Sequence, residues 1–191
     1  TDRLHGDSGL ELRTVGAALA HGWEPPSQGR CPASRLTMGP VQKNQTTSDI
    51  YTPDGQRHQL EQGSIKHLGD VDLAVLSFSS SNSYEVAQIG EVKSMSSGSG
   101  IYVAGFPLPT SAVPTRLCRF LDGKVIANAT VAIPNGYQLL YSNPTLPGMS
   151  GGAVMNVQGQ LVGIHGQGET DTKMSEQQGV AVKTGTNQAV P

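Results

Sequence analysis

A serine set among glycines late in the chain constrains most strongly what this sequence can fold into. Residues 147–154 read Pro-Gly-Met-Ser-Gly-Gly-Ala-Val. Glycine accepts positive φ and allows close approach to its backbone, so such a loop can expose the Ser150 hydroxyl beside free N–H groups. Acyl transfer needs both, because the N–H groups stabilise the oxyanion that forms when the serine attacks a carbonyl. The loop predicts Ser150 as a nucleophile with the N–H groups of Gly148 and Ser150 as its oxyanion hole, and a Gly/Ser-rich hairpin turn is the alternative interpretation.

The residues after the serine exclude one class of serine hydrolase. Apolar runs at 153–157 and 161–164 flank the polar turn Gln-Gly-Gln at 158–160, which is the pattern of a β-hairpin. The nucleophile elbow of an α/β-hydrolase instead needs a helix directly after the serine, followed by an acid and a histidine. Residues 151–191 are too few for the rest of that fold. The sequence therefore predicts β-structure around Ser150.

Composition extends this expectation to the whole chain. The 191 residues include 24 Gly and 12 Pro, and 15% are charged, which is typical of many short strands joined by turns. Pro-Asp-Gly at 53–55 predicts a hairpin, as does Asp-Gly within residues 119–126. Residues 169–173 are predicted as a polar loop and residues 179–182 as a short last strand. Residues 79–99 are rich in Ser and Asn and indicate a connection between two halves.

The charge and the remaining reactive side chains limit the partners. Thirteen basic and 15 acidic residues leave the chain nearly neutral, so nothing favours binding to nucleic acid or an anionic membrane. No apolar run approaches the ~18–20 residues that span a bilayer, and no secretion signal is visible, so the signal of an exported form would have been removed. Cys31 and Cys118 allow at most one intramolecular disulfide and lack metal-site spacing. We expect no metal or other cofactor, and we expect His58 and His67 to be solvated.

The serine loop, its hairpin and an upstream segment together resemble the trypsin-like (chymotrypsin-fold) serine protease family. Gly-Met-Ser-Gly-Gly at 148–152, then a hairpin that ends in Leu-Val-Gly-Ile, is similar to the family's nucleophile region. Gly-Asp-Val-Asp-Leu-Ala-Val-Leu at 69–76 is similar to its acid segment, in which an aspartate precedes an apolar strand. The resemblance implies that Asp72 orients the catalytic histidine. The alternative is an aspartate that caps a strand or a turn.

The resemblance also implies an architecture and a setting. We expect an all-β fold of two antiparallel, six-stranded-type β-barrels with a disrupted N-terminal segment. Residues 1–85 would form the barrel that carries Asp72, residues 86–95 the linker, and residues 96–191 the barrel that carries Ser150. The family implies a monomer, secreted or periplasmic, that acts on peptide or protein substrates.

The catalytic histidine of this family has no clear counterpart here. Residues 16–45 lack both strand periodicity and the family's Thr-Ala-x-His motif. The nearest match, Leu-Thr-Met-Gly-Pro-Val at 36–41, has Pro40 about where the histidine would stand. The other candidate is His21, which follows an alanine but lies far before Asp72. Two interpretations stay open: His21 is the general base, or the base is absent because the segment is disrupted or out of frame.

The spacing around Ser150 matches one branch of the family. Thr145 lies five residues before it and His165 fifteen residues after it, as in the glutamyl-specific (V8-like) proteases. The resemblance implies that Thr145 and His165 bind an acidic side chain and that Gly166 begins a strand edge that pairs with the substrate. The alternative is that His165 merely ends a core strand. The chain is thus predicted to be a serine endopeptidase with a preference for acidic residues, and the alternative is a catalytically impaired peptide-binding module of the same fold.

Overall fold

The computed structural model describes residues 10–15, 35–36, 49–61, 63–84 and 86–191. These residues form twelve β-strands and one α-helix. The strands of the N-terminal half are β1 (Leu10–Val15), β2 (Arg35–Leu36), β3 (Asp49–Tyr51), β4 (Arg57–Gln59), β5 (Lys66–His67) and β6 (Ala74–Ser80). The C-terminal half contains β7 (Gly100–Gly105), β8 (Arg119–Asn128), β9 (Leu139–Tyr141), β10 (Ala153–Asn156), β11 (Leu161–Thr170), α1 (Thr172–Gln178) and β12 (Lys183–Val190).

The six strands of the C-terminal half close into an antiparallel barrel. Their order around the barrel is β10, β11, β12, β9, β8 and β7. Side chains alternate between the two faces of a strand, and the inward ones include Val103, Leu139, Tyr141, Val154 and Ala189, all fully buried. Burying a Val or Leu side chain contributes roughly 1.5–3 kcal/mol. This core fixes β9 and β10, the two strands on either side of Ser150.

The described residues of the N-terminal half form two three-stranded antiparallel sheets, ordered β1-β6-β5 and β2-β3-β4. The hairpin predicted at residues 53–55 is confirmed, because β3 and β4 pair around it and Gly55 has a φ of +81°. Leu76 and Phe78 of β6 are buried within this half. The predicted all-β class is therefore confirmed, with one closed barrel among the described residues.

The segment that joins the halves lies along the barrel. Gly90 N–H donates to the Leu161 carbonyl at 2.8 Å, and Leu161 N–H donates to the Gln88 carbonyl at 2.8 Å. The predicted linker at 86–95 is therefore held against the start of β11. The domain boundaries themselves remain predictions.

The hairpin predicted within residues 119–126 is wrong. β8 runs without a turn through Asp122 and Gly123, and both pair with β7. A Cβ on Gly123 would lie 2.3 Å from Asn143 Oδ1, so glycine here makes room for a buried side chain and not for a turn. Asn143 Nδ2 uses this approach to donate to one carbonyl of β7 and one of β8, at 3.2 and 2.8 Å.

The polar loop predicted at 169–173 and the strand predicted at 179–182 are also wrong, since β11 continues into the first segment and α1 ends at the second. The Asp171 carboxylate starts α1 by accepting the N–H of Met174 at 2.9 Å, and Gly179 ends it with a φ of +66°. Two helical turns are too short for a 3.6-residue period to stand out in the sequence. No helix in the described ranges is long and apolar enough to cross a membrane.

Replacing Gly123 with alanine should destabilise the barrel. The new Cβ would lie 2.3 Å from Asn143 Oδ1 and 2.8 Å from Asn143 N, so both side chain and backbone must shift, and such overpacking costs roughly 1–3 kcal/mol. Urea unfolding followed by circular dichroism measures the change. Gly168→Ala is the matched control in β11, because its Cβ would meet nothing closer than 3.4 Å. Equal losses in the two variants would contradict the close-approach role of Gly123.

Candidate active site

Ser150 lies in the loop of residues 142–152 between β9 and β10, here called the serine loop. The Ser150 side chain is exposed, whereas its neighbour Met149 is buried in the barrel core. Gly148 and Gly151 have φ values of +91° and +84°, which favour glycine strongly. A Cβ on Gly148 would also lie 2.8 Å from Leu108 N. The loop is therefore anchored on one side and presents Ser150 on the other.

Backbone hydrogen bonds hold the serine loop but leave two N–H groups available. Gly151 N–H donates to the His165 carbonyl at 2.7 Å, and Gly152 N–H donates to the Met149 carbonyl at 2.9 Å. The N–H groups of Gly148 and Ser150 donate to no acceptor within the part of the chain that the structure describes. An oxyanion hole requires such donors, since groups already paired within the protein could not stabilise a substrate oxyanion.

Asp72 is exposed just before β6 and contacts the C-terminal half at two points. Its N–H donates to the Asn135 carbonyl at 2.9 Å, and its carboxylate accepts a hydrogen bond from the Tyr137 hydroxyl. Burial and the negative charge of Asp72 both raise the pKa of Tyr137 well above its usual range, so the hydroxyl keeps its proton and remains the donor. The acid segment is thus docked on the barrel that carries Ser150.

Tyr137 also packs on Gly166, the residue expected to begin the substrate-pairing strand edge. A Cβ on Gly166 would lie 2.2 Å from Tyr137 Cε1, so the ring fills the space that any other residue would need. Gly166 directly follows His165, whose carbonyl holds the serine loop. A continuous set of contacts therefore joins the serine loop, β11, Tyr137 and Asp72. Sequence reasoning missed Tyr137, because nothing in its local pattern indicates a partner in the other half.

His165 is 3% exposed and its Nδ1 lies 2.6 Å from Tyr141 Oη. Burial, with a smaller contribution from the charge of Lys183, lowers the pKa of His165 to about 4. Burial raises the pKa of Tyr141 well above its usual range, so its hydroxyl keeps its proton while it shares a hydrogen bond with the neutral imidazole. The tautomer in which Nδ1 accepts from Tyr141 carries its proton on Nε2, where it can act as a hydrogen-bond donor.

Thr145 is buried within a polar network that the sequence did not indicate. Its hydroxyl donates to Asn187 Oδ1. Asn187 Nδ2 donates to the carbonyls of Asn143 and Tyr141, at 2.6 and 3.3 Å. Tyr141 therefore connects Thr145 with His165, because its carbonyl accepts from Asn187, the partner of Thr145, and its hydroxyl contacts His165.

His58 is not solvated as predicted. It is half-buried, and its Nε2 lies 3.2 Å from Thr52 Oγ1 and 3.0 Å from Tyr84 Oη. Thr52 and Tyr84 also donate hydrogen bonds to the carboxylate of Asp54. The hydrogen bond from Thr52 is the main cause that lowers the pKa of Asp54 to about 2. The ring of Phe78 lies 4.8 Å from the imidazole. These contacts hold His58 within the N-terminal half.

His21 lies outside the described residues, as do Pro40, where the family's histidine would stand, and the side chain of His67. The two interpretations of the general base that the sequence left open therefore stay open.

Cys118 is in a disulfide. Cys31, the chain's other cysteine, lies outside the described residues.

Comparison with known proteins relates this site to one family. A family model described as the trypsin-like peptidase domain matches residues 33–164, which include both Asp72 and Ser150. Among solved structures, the HtrA-type protease AlgW with a decapeptide is 17% identical, with a TM-score of 0.59 over 78% of this chain. An AlgW variant with a tripeptide is 17% identical, with a TM-score of 0.57 over 76% of this chain.

These structural matches are partial. The chain spans 42% of the first AlgW chain and 44% of the second. At 17% identity the likeness establishes a shared fold. No curated protein matches the sequence.

His165 should make the stability of the protein depend on pH between about 4 and 6.5. Its pKa falls from 6.5 to about 4 in the folded protein, so the unfolded chain takes up the proton first as the pH falls. The free energy of unfolding should therefore decrease from pH 6.5 towards pH 4, by up to about 3 kcal/mol, and be unaffected by His165 above this window. Urea unfolding at several pH values measures this slope.

His165→Gln should flatten the pH slope, while His58→Gln, the control, should leave the contribution of His165 in place. The comparison uses slopes and not absolute stabilities, because either substitution can weaken the fold. A wild-type slope in His165→Gln would contradict a neutral, buried imidazole.

Proposed function

Since the chain belongs to the trypsin-like peptidase domain family, we propose that it is a serine endopeptidase that acts through an acyl-enzyme on Ser150. The Ser150 hydroxyl attacks the carbonyl carbon of the scissile bond and loses its proton to a general base. The N–H groups of Gly148 and Ser150 stabilise the oxyanion, and the amine product leaves with the proton. Water then hydrolyses the ester. The observation that carries the proposal is the pair of unused N–H groups beside an exposed serine in an anchored loop.

Asp72 is proposed as the acid that orients the base. Its docking on the C-terminal barrel through Asn135 and Tyr137 supports this role, because an acid can serve a nucleophile in the other half only if the two halves are held together. The Tyr137 hydroxyl satisfies one oxygen lone pair of the carboxylate. The remaining lone pairs are available to a histidine N–H.

The presence of a general base distinguishes the serine endopeptidase from an inactive peptide-binding module. His58 is held by Thr52 and Tyr84, and His165 is buried with Nδ1 engaged by Tyr141. The proposal for an active enzyme therefore takes His21, the candidate that the sequence offers, as the base. If no histidine serves Ser150, the chain is a peptide-binding module that retains the protease fold. The engagement of both described imidazole rings is the observation that favours this second function.

A preference for glutamate or aspartate on the acyl side of the scissile bond is part of the proposal. His165 is neutral near pH 7, and in the tautomer that accepts from Tyr141 at Nδ1 it would donate Nε2–H to a carboxylate, as the V8-like spacing implies. The Thr145 hydroxyl already donates to Asn187, so it can serve a substrate only by exchanging that partner. Hydrogen bonds to a charged group contribute roughly 1.5–3 kcal/mol.

The substrate backbone is proposed to pair with β11 at Gly166. A peptide that adds as a strand gains main-chain hydrogen bonds and presents alternate side chains to pockets. The two AlgW structures contain a decapeptide and a tripeptide, and a peptide substrate for this chain is an inference from the shared fold. A monomeric state and a secreted or periplasmic setting remain predictions from the family.

Substituting Pro40→His should raise peptide hydrolysis by orders of magnitude if the base is absent. Loss of one triad member leaves a residual acceleration of ~10³–10⁴ over water, and a restored triad recovers the rest. The measurement is kcat/KM on peptides with glutamate before the cleaved bond, and adding Ser150→Ala should abolish the gain. Rapid turnover by the unmodified chain that His21→Ala abolishes would instead identify His21 as the base. Turnover that Ser150→Ala leaves undiminished would contradict the proposed mechanism.

A further inference from the structure

Lys183, the first residue of β12, lies beside the pocket that the proposed function assigns to the acidic side chain. Its Nζ donates to the Thr145 carbonyl at 3.3 Å. A Cβ on Gly168 would lie 3.5 Å from the same Nζ. Thr145 belongs to the serine loop and Gly168 to β11. The ammonium group therefore sits between the two segments that would enclose the substrate side chain.

The ammonium group of Lys183 uses one of its three N–H donors within the described residues. That donor contacts the Thr145 carbonyl. Within the described ranges no carboxylate pairs with Lys183, and Glu169, on the facing strand, accepts a hydrogen bond from Thr184 at 2.6 Å instead. A lysine held in place but left without a counter-ion is suited to an anionic ligand.

His165 cannot supply the positive charge that an acidic ligand needs. The imidazole is neutral near pH 7, so it offers a hydrogen bond but no charge. The charge of Lys183 is close enough to act on the ring, since it contributes to lowering the pKa of His165. A pocket with neutral donors and an adjacent cation would therefore take a carboxylate in preference to a carboxamide.

We propose that Lys183 is a specificity-determining residue whose ammonium group pairs with the carboxylate of a glutamate bound between Thr145 and Gly168. The inference rests on the proposed acidic preference and adds the source of its charge discrimination. Lys183 is exposed, so water screens the pair and its contribution should reach up to about fivefold in affinity. It should also weaken as salt is added, because screening shortens the reach of an exposed charge.

Product-type peptides test the inference without requiring catalysis. Acetylated peptides that end in glutamate or in glutamine, otherwise identical, would occupy the acyl side of the site. Isothermal titration calorimetry gives the ratio of their dissociation constants at low and at high sodium chloride. The proteins compared are the unmodified chain, Lys183→Met, Lys183→Arg and the control Lys66→Met, which removes an exposed lysine of β5 in the other half. Thermal unfolding checks that each variant is folded.

We expect the unmodified chain to prefer the glutamate peptide, and Lys183→Met to lose up to about fivefold of that preference. Lys183→Arg and Lys66→Met should retain the preference. Salt should reduce the ratio in the unmodified chain and have little effect on it in Lys183→Met, which a merely structural lysine would not produce.

Two results would overturn the inference, and they differ in what they say of the proposed function. Full, salt-sensitive preference in a folded Lys183→Met would reject the role of Lys183 while leaving an acidic pocket in place. Equal affinity of the unmodified chain for the two peptides would reject the acidic preference itself, and Lys183 with it. Failure of both peptides to bind would reject the proposed substrate site as a whole.

Discussion

A reciprocal pair of backbone hydrogen bonds between the serine loop and β11 fixes the geometry of the site. Gly151 N–H donates to the His165 carbonyl at 2.7 Å, and His165 N–H donates to the Gly152 carbonyl at 2.8 Å. β11 pairs with β10 on one side and β12 on the other within a closed barrel, so the loop shares the rigidity of the barrel. The position of Ser150 is consequently tied to the strand that carries the buried imidazole. Catalytic groups need this kind of support, because small displacements of a nucleophile cost large factors in rate.

The same strand also sets the position of Asp72, the proposed acid. Gly166 has no side chain, so the Tyr137 ring can lie against its backbone and extend its hydroxyl to Asp72. A buried hydroxyl without a partner is costly, and the contact with Asp72 removes that cost while it joins the two halves. A larger residue at Gly166 would displace Tyr137 and loosen its contact with Asp72. The positions of Ser150 and Asp72 thus depend on consecutive residues of β11.

Short sequence motifs predicted the turns and hairpins that form between neighbouring residues. Glycines around Ser150 and the apolar runs after it predicted an exposed serine and a hairpin, and Pro-Asp-Gly predicted the turn between β3 and β4. The Asp-Gly signal in β8 misled, because the demand on Gly123 comes from Asn143, twenty residues away in the chain. A glycine required by a turn and a glycine required by a close approach cannot be told apart in the sequence.

Contacts between distant residues could not be predicted from one sequence. Tyr141 and His165 are 24 residues apart, and Tyr137 and Asp72 are 65 apart. Each is an ordinary residue in its own segment, and only the barrel closure brings the partners together. The burial of His165 against Tyr141 and the docking of Asp72 therefore emerge from the fold. Asp72 and Ser150 could be proposed as acid and nucleophile from the sequence because each stands just before a strand whose apolar pattern is local.

Ser150 is proposed to be a nucleophile in a site that the barrel has already assembled. Reaction with a fluorophosphonate probe, followed by mass spectrometry of the modified peptide, tests this proposal directly, because the probe forms a bond only with an activated serine. We expect modification of Ser150 in the unmodified chain if His21 serves as base, and otherwise in the chain with Pro40→His. Absence of label at Ser150 in both proteins, each shown to be folded, would contradict it.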